Sequence, residues 1–148
     1  MIVDTSVWSL ALRRRTDPQN VAVKVLRELI QDALIVMLGC IRQEILSGVR
    51  SPDQFEKLRD HLRAFPDEYL QTSDYEKAAE FFNVCRRRGI RGSNTDFLIC
   101  AAAANRDYAI FTTDRDFSRF RSAVGIPVCS RYYAVLTLTR TLISEPES

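Results

Sequence analysis

Met1-Ile2-Val3-Asp4-Thr5-Ser6-Val7-Trp8 opens the chain, and the reading of this stretch decides the fold. Ile2 and Val3 form a short apolar run broken by an acid, the pattern of a buried strand ending at Asp4. Thr5 or Ser6 can then cap a helix whose Val7, Trp8, Leu10, Ala11 and Leu12 share one face. A strand followed at once by a helix is the first unit of an alternating α/β chain.

The alternation continues outward. Asp17-Pro18 marks a turn, and Val21, Val25, Leu26, Leu29 and Ile30 follow a helical period up to Asp32. Residues 33–38 are continuously apolar and short, which predicts a buried parallel strand ended by Gly39. Ile41, Ile45 and Leu46 set a helical spacing that puts Glu44 on a short helix closed by Gly48. A helix from near Pro52 carries Phe55, Leu58 and Leu62, extending to Phe65 before Pro66 stops it, and residues 69–71 read as a short strand. Ser73 caps a helix with Ala78, Ala79, Phe82 and Cys85, ending in Arg86-Arg87-Arg88-Gly89, where cations and glycine suit a helix C-terminus. Ser93 or Asn94 begins the most helix-prone stretch, through Arg106. Residues 108–112 read as a strand, 116–124 as a helix and 125–129 as a last strand. The expected fold is α/β, an open parallel sheet flanked by helices over residues 1–129. Residues 130–148 form an extension of mixed pattern with no assigned function, and Glu145-Pro146-Glu147-Ser148 is expected to be disordered.

At 148 residues the chain suits one domain with a single substantial core. Hydrophobic content of 46%, with five prolines and five glycines, argues against disorder or a repeat architecture. Of the 21 basic residues only Lys24, Lys57 and Lys77 are lysine, so 18 are arginine, whose planar fork of donors suits phosphate. Neutralising four acids with metal would raise the net charge from +2 to +6, which favours a polyanionic partner. Cys40, Cys85, Cys100 and Cys129 show no close pairing and read as reduced, structural residues. With no leader pattern and no window of membrane-spanning length, a soluble cytoplasmic product is expected.

Four acids stand where such a chain would bring them together: Asp4, Glu44, Asp96 and Asp114. In open parallel sheets, ligands sit beyond the carboxyl ends of the strands, and Asp4 and Asp114 each follow a strand directly. Asp96 falls in the first turn of its helix and Glu44 near the start of another. Crowded carboxylates repel, and the usual escapes are a shared proton or a bound cation. A cluster of oxygen donors without sulfur or imidazole favours Mg²⁺ or Mn²⁺ over zinc. Each acid also has a structural reading. Asp4 can end a strand and cap a helix, Asp96 forms a capping box with Ser93, Glu44 can be a solvated surface residue, and Asp114 and Asp116 can be turn and cap residues.

The segments Ile2-Val3-Asp4-Thr5-Ser6-Val7-Trp8, Arg42-Gln43-Glu44-Ile45-Leu46-Ser47-Gly48, Thr95-Asp96-Phe97-Leu98-Ile99-Cys100-Ala101-Ala102-Ala103 and Thr112-Thr113-Asp114-Arg115-Asp116-Phe117 resemble, in order and spacing, the four acidic motifs of PIN-domain nucleases, and especially of VapC-like ribonuclease toxins. The resemblance implies a Rossmann-like α/β/α sandwich and Mg²⁺- or Mn²⁺-dependent RNA cleavage. It also implies a homodimer, and a small VapB-like antitoxin that blocks the site. Asp4, Glu44, Asp96 and Asp114 inherit the catalytic and metal-binding role, Asp116 is a fifth metal candidate, and Ser6 and Thr112 match hydroxyls that support the acids. The tail after Cys129 is longer than the family pattern.

Arg13 to Arg15, Arg86 to Arg91 and Arg115 are candidate phosphate contacts, with a solvated face as the competing reading. Trp8 reads as packing, Tyr132-Tyr133 as stacking or interface residues, and His61, the only histidine, as non-catalytic. A haloacid-dehalogenase-like phosphatase would also place an Asp after the first strand, but it needs a second Asp two residues on, where Ser6 stands. A non-catalytic RNA- or protein-binding domain is the alternative from another class.

Overall fold

A computed structural model describes residues 1–129. Its elements are β1 (Ile2–Val3), α1 (Thr5–Leu12), α2 (Val21–Gln31), α3 (Gly39–Ser47), α4 (Pro52–Leu62), α5 (Thr72–Arg87), α6 (Asn94–Arg106), β2 (Ile110–Phe111), α7 (Asp116–Val124) and β3 (Val128–Cys129). The expectations for the tail, including Tyr132-Tyr133, lie outside the described residues. No helix among the described residues is long and apolar enough to cross a membrane.

β2 lies between β1 and β3, and both pairings are parallel, with Ile2 opposite Ile110, Val3 opposite Phe111 and Phe111 opposite Cys129. Single-residue parallel bridges, Ile2 to Val36 and Met37 to Asp67, continue the sheet beyond β1. Successive strand residues point to opposite faces. Ile2, Val3, Ile110 and Phe111 are all buried, so helices cover both faces, as expected for a parallel sheet. The register also sets the site. Asp4 and Thr112 follow paired residues, so both leave the sheet at the same edge.

Several local expectations are corrected. The run 33–38 forms no regular strand, because its first residues close α2: Ala33 takes a left-handed φ of 55° and Leu34 N–H bonds back to Leu29 O at 2.9 Å. Only Val36 and Met37 remain extended enough to pair, while Leu38 and Gly39 already start α3. An apolar run reports burial, which a helix exit and a strand share. The expected pairing at 69–71 falls instead at Asp67, and Glu68 N–H donates to Met37 O at 2.8 Å. Asp4 rather than Thr5 or Ser6 caps α1, and Gln71 rather than Ser73 precedes α5. Phe65 lies past the end of α4 and packs edge-on to Trp8 with ring centroids 5.5 Å apart. Trp8 is buried, with its indole N–H on Val3 O, which confirms its packing role.

α6 is the central helix of the core. Ala101, Ala102 and Ala103 have no exposed surface, and such small side chains let its backbone approach its neighbours closely. Ahead of it, Phe82, Phe97, Phe117 and Phe120 interlock with centroids 5.0–5.5 Å apart, the tilted and edge-on contacts that aromatic quadrupoles prefer. Gly92 sits against this cluster. A Cβ there would stand 2.6 Å from Phe120 Cζ and 3.0 Å from Phe97 Cε2. Gly92→Ala is therefore expected to destabilise by about 1–3 kcal/mol through overpacking, measured by urea denaturation. A neutral result would mean the phenylalanine rings give way freely.

A charge network around the buried Asp74 braces the opposite end of α6. Arg106 reaches Asp74 through Nη1 at 2.7 Å and Nη2 at 2.8 Å, Glu68 at 3.3 Å, and the Tyr69 carbonyl at 2.8 Å. Asn105 adds a bond to Asp74 at 2.9 Å, and Asp74 also accepts Gln71 N–H at the start of α5. Arg42 works similarly on α3, joining Asp67 to the carbonyls of Leu62 and Phe65.

Candidate active site

The site grows from the ends of β1 and β2. Asp4 is buried, and its Oδ2 accepts the Thr112 hydroxyl at 2.9 Å and Ser6 N–H at 3.3 Å. Thr112 has one hydroxyl proton, already given to Asp4, so the 3.3 Å contact with Ser6 is donated by Ser6 Oγ. Thr112 Oγ1 also accepts Asp114 N–H at 3.0 Å, and Ser6 Oγ accepts Thr113 N–H at 3.1 Å. Two hydroxyls thus lace the two strand ends together. Ser6 and Thr112 occupy the supporting positions that the resemblance implied.

Asp96 enters from the first turn of α6. Its Oδ2 accepts Ser93 N–H at 2.7 Å while Ser93 Oγ accepts Asp96 N–H at 3.1 Å, so the capping box is present. The carboxyl is nevertheless pushed above the ordinary value, first by burial and further by the negative charges of Asp4 and Asp114, against the opposing bonds from Ser93. The cap and the crowding coexist, and burial decides the direction of the shift. A raised carboxyl pKa means the folded protein disfavours the charged form. Stability is therefore reduced above that pKa and recovers as pH falls through it toward the ordinary value. Asp96→Asn, whose amide oxygen can still accept Ser93 N–H, is expected to raise the melting temperature of metal-free protein by a few degrees at neutral pH. A fall would show that the charged cap outweighs the repulsion. The same field reaches Cys100, one turn along α6, whose thiol is held up mainly by burial and then by Asp96. Cys40 is likewise pushed up to about 11 by burial. Both thiols are free, and their raised pKa disfavours the thiolate form.

Glu44 is exposed on α3, and its Oε2 accepts the Thr5 hydroxyl at 2.6 Å, which ties it to the start of α1 beside Asp4. Thr5 is a site residue that sequence reading missed, because its only signal was adjacency to Asp4. Asp114 Oδ1 accepts Asp116 N–H at 2.9 Å, shaping the turn into α7. Asp116 is exposed and stands 3.7 Å from Arg119. The structure thus places Asp4, Asp96 and Asp114 in one field, ties Glu44 to Thr5, the residue after Asp4, and leaves Asp116 exposed with its N–H on Asp114 and its carboxylate toward Arg119. Arg13 is removed from Asp4 by the eight residues of α1, about 12 Å of helix, while Arg115 directly follows Asp114. His61 is exposed in the last turn of α4.

Among the described residues, no group of three or more His, Cys, Asp or Glu is gathered tightly enough to enclose an ion. The donor set still fits a hard cation that keeps several waters and takes few protein ligands. Asp4, Glu44 and Asp114 each commit one oxygen to the hydrogen bonds above and leave the other without a donor among the described residues.

A parallel α/β domain with three acids in one another's field at the carboxyl edge of its sheet is the class of protein defined by these observations. The sequence profile of the PIN domain matches residues 1–122, and the chain belongs to the PIN-domain family. No match is found among curated protein sequences. In fold the chain is similar to FitAcB from Neisseria gonorrhoeae, at 17% identity and a TM-score of 0.70 over 87% of this chain and 96% of that one. It is also similar to VapBC2 from Rickettsia felis bound to a DNA fragment from their promoter, at 16% identity and 0.69 over 86% and 96%. A toxin-antitoxin complex from Klebsiella pneumoniae matches at 19% identity and 0.58 over 87% and 95%.

Proposed function

We propose that this protein is a Mg²⁺- or Mn²⁺-dependent endoribonuclease acting as the VapC-like toxin of a toxin-antitoxin pair. The observation that carries the reading is the placement of Asp4, Asp96 and Asp114 within one another's field at the edge where two strand ends are laced by hydroxyls; the Asp96 carboxyl is raised there first by burial and then by the two neighbouring charges. Crowded carboxylates of this kind are a standing electrostatic cost that a cation relieves. The abundance of arginine supports a polyanionic substrate, and the complexes that share the fold support a proteinaceous partner, a small VapB-like antitoxin. A homodimer in the cytoplasm belongs to the same reading, with residues 1–129 as the nuclease domain and 130–148 as an extension.

Asp4, Asp96 and Asp114 are the residues we assign to hold the metal, with Glu44 completing the set and Asp116 at its rim. When bound, the ion supplies a water of lowered pKa and countercharge for the phosphoryl transition state. Thr112 and Ser6 hold the Asp4 carboxylate in one orientation, so that its second oxygen faces the site without rotational searching. Thr5 does the same for Glu44, whose exposed carboxylate is the group we assign to orient the attacking water. Attack by water on phosphorus predicts a 5′-phosphate and a 3′-hydroxyl. The expected result is RNA cleavage that needs Mg²⁺ or Mn²⁺, stops with chelator and leaves those ends. Cleavage indifferent to chelator, or 2′,3′-cyclic phosphate products, would overturn the mechanism.

A further inference from the structure

The arginines of this chain are not equally free. Among the described residues, Arg42, Arg59, Arg63, Arg106 and Arg119 are held by carboxylates. Arg86 and Arg87 close α5, and Arg121 stands in the last turn of α7, where a cation meets the negative end of the helix macrodipole. Each of these charges has a structural reason.

Arg91 and Arg115 have no such reason. Both are exposed, and neither side chain makes an ion pair or hydrogen bond among the described residues. Arg91 lies two residues ahead of Ser93, the cap of α6, and Arg115 is itself the cap residue of α7. A helix N-terminus carries partial positive charge, so a cation beside it is disfavoured. The nearby acids offset this in the free protein, and neutralising them leaves both arginines without a countercharge.

Their positions bracket the acid site. Ser93 N–H lies 2.7 Å from Asp96 Oδ2, so the Arg91 Cα stands at most about 9 Å from that carboxylate. Arg115 is the middle residue of the turn that Asp114 closes by accepting Asp116 N–H at 2.9 Å. One arginine thus adjoins Asp96 and the other Asp114, and the charge of Asp114 acts on Asp96.

The turn that carries Arg91 is stiff. Gly92 is pressed against Phe97 of α6 and Phe120 of α7, with no room for a Cβ. Ahead of it, Gly89 takes a left-handed φ of 71°, and Gly89 N–H and Ile90 N–H bond back to Arg86 O and Cys85 O. A guanidinium on a fixed backbone gives up less freedom when it grips an oxyanion, and its planar fork matches two phosphate oxygens at once.

We propose that Arg91 and Arg115 form a clamp for the RNA phosphates on either side of the cleaved one. They are substrate-positioning residues, which set the register of the backbone against the acids and carry no base preference. The inference deepens the RNA-cleavage reading above and rests on it.

The test uses the full chain in an Asp4→Asn background, which keeps RNA intact, and titrates a fluorescent oligoribonucleotide over a series of KCl concentrations. Arg91→Gln and Arg115→Gln are each expected to flatten the slope of log affinity against log salt by roughly 0.7–0.9, and the double variant by about twice that. Arg121→Gln removes the same charge at the other end of α7 and is expected to leave the slope unchanged. Arg91→Lys and Arg115→Lys should keep the slope and recover only part of the affinity, since lysine supplies the charge without the fork. In the active protein the two Gln variants should raise KM with little change in kcat. An unchanged slope would overturn the inference, and so would an equal change from Arg121→Gln. A lower melting temperature with unchanged binding would also overturn it, reducing both arginines to countercharges for the acids. If the parent protein binds RNA with this slope dependence but cleaves none, the functional reading fails and the clamp stands; a parent that neither binds nor cleaves removes both.

Discussion

Asp4→Asn is expected to lower RNA cleavage by about 10²–10³-fold or more while leaving the melting temperature at or above that of the parent protein. The two halves of this result come from two different uses of one side chain. As a structural group, Asp4 caps α1 and accepts the Thr112 hydroxyl through Oδ2. Asn performs both tasks, since its amide oxygen accepts the same bonds and it is as good a cap as Asp. As a functional group, Asp4 contributes negative charge at the meeting point of three acids, and Asn removes it. Neutralisation also relieves part of the repulsion that raises the Asp96 carboxyl pKa, which favours stability in metal-free protein. Activity assays and thermal melts on the same preparation separate these uses. Retained cleavage would remove Asp4 from the site, and lost cleavage with a collapsed melt would reduce it to a structural cap.

Arg106→Met should destabilise the fold by about 3–5 kcal/mol, the usual result of breaking a buried ion pair by removing one partner. Asp74 is 1% exposed and depends on this guanidinium, which holds its carboxyl well below the ordinary value of 3.8. The sign of the linkage follows. A depressed carboxyl pKa contributes stability above the ordinary value, and that contribution is lost as pH falls through the lower folded value. The parent protein should therefore lose stability below about pH 4 from this pair, opposite in direction to the contribution of Asp96. The variant should show a lower urea midpoint with an unchanged slope, and Asp74→Leu combined with Arg106→Met should recover much of the loss, because no buried charge is left alone. A loss below about 1 kcal/mol would place the pair among weak surface bridges.

The sequence showed why Asp96 matters but could not weigh its two roles. A Ser-x-x-Asp capping box and a metal-site acid look identical in a local window; the box is present, and whether the carboxyl is raised in spite of it depends first on how deeply it is buried and then on the charges of Asp4 and Asp114. The run 33–38 failed as a strand for a related reason. Its apolar character correctly reported burial of Met37 and Leu38, but the left-handed turn at Ala33 is set by how α2 ends against the sheet. Asp74 and Arg106 escaped notice altogether, since one looked like an ordinary first-turn acid and the other like a helix-end cation. Only their meeting makes them a buried pair.

What the sequence determined by itself was the order of the helices and of the three strands of the parallel sheet, with Asp4 and Asp114 just past strands and Asp96 in the first turn of a helix; Glu44, expected near a helix start, falls at the sixth of the nine residues of α3. Periodicity, capping and turn residues act within a few positions of each other, so they can be read along the chain. What the tertiary structure alone decided was partnership across distance: Thr5 with Glu44 over 39 residues, Asp74 with Arg106 over 32, and Thr112 with Asp4 over 108. Such pairs depend on the register of β1 against β2 and on the directions in which packed helices aim their side chains. Neither is encoded in any local stretch.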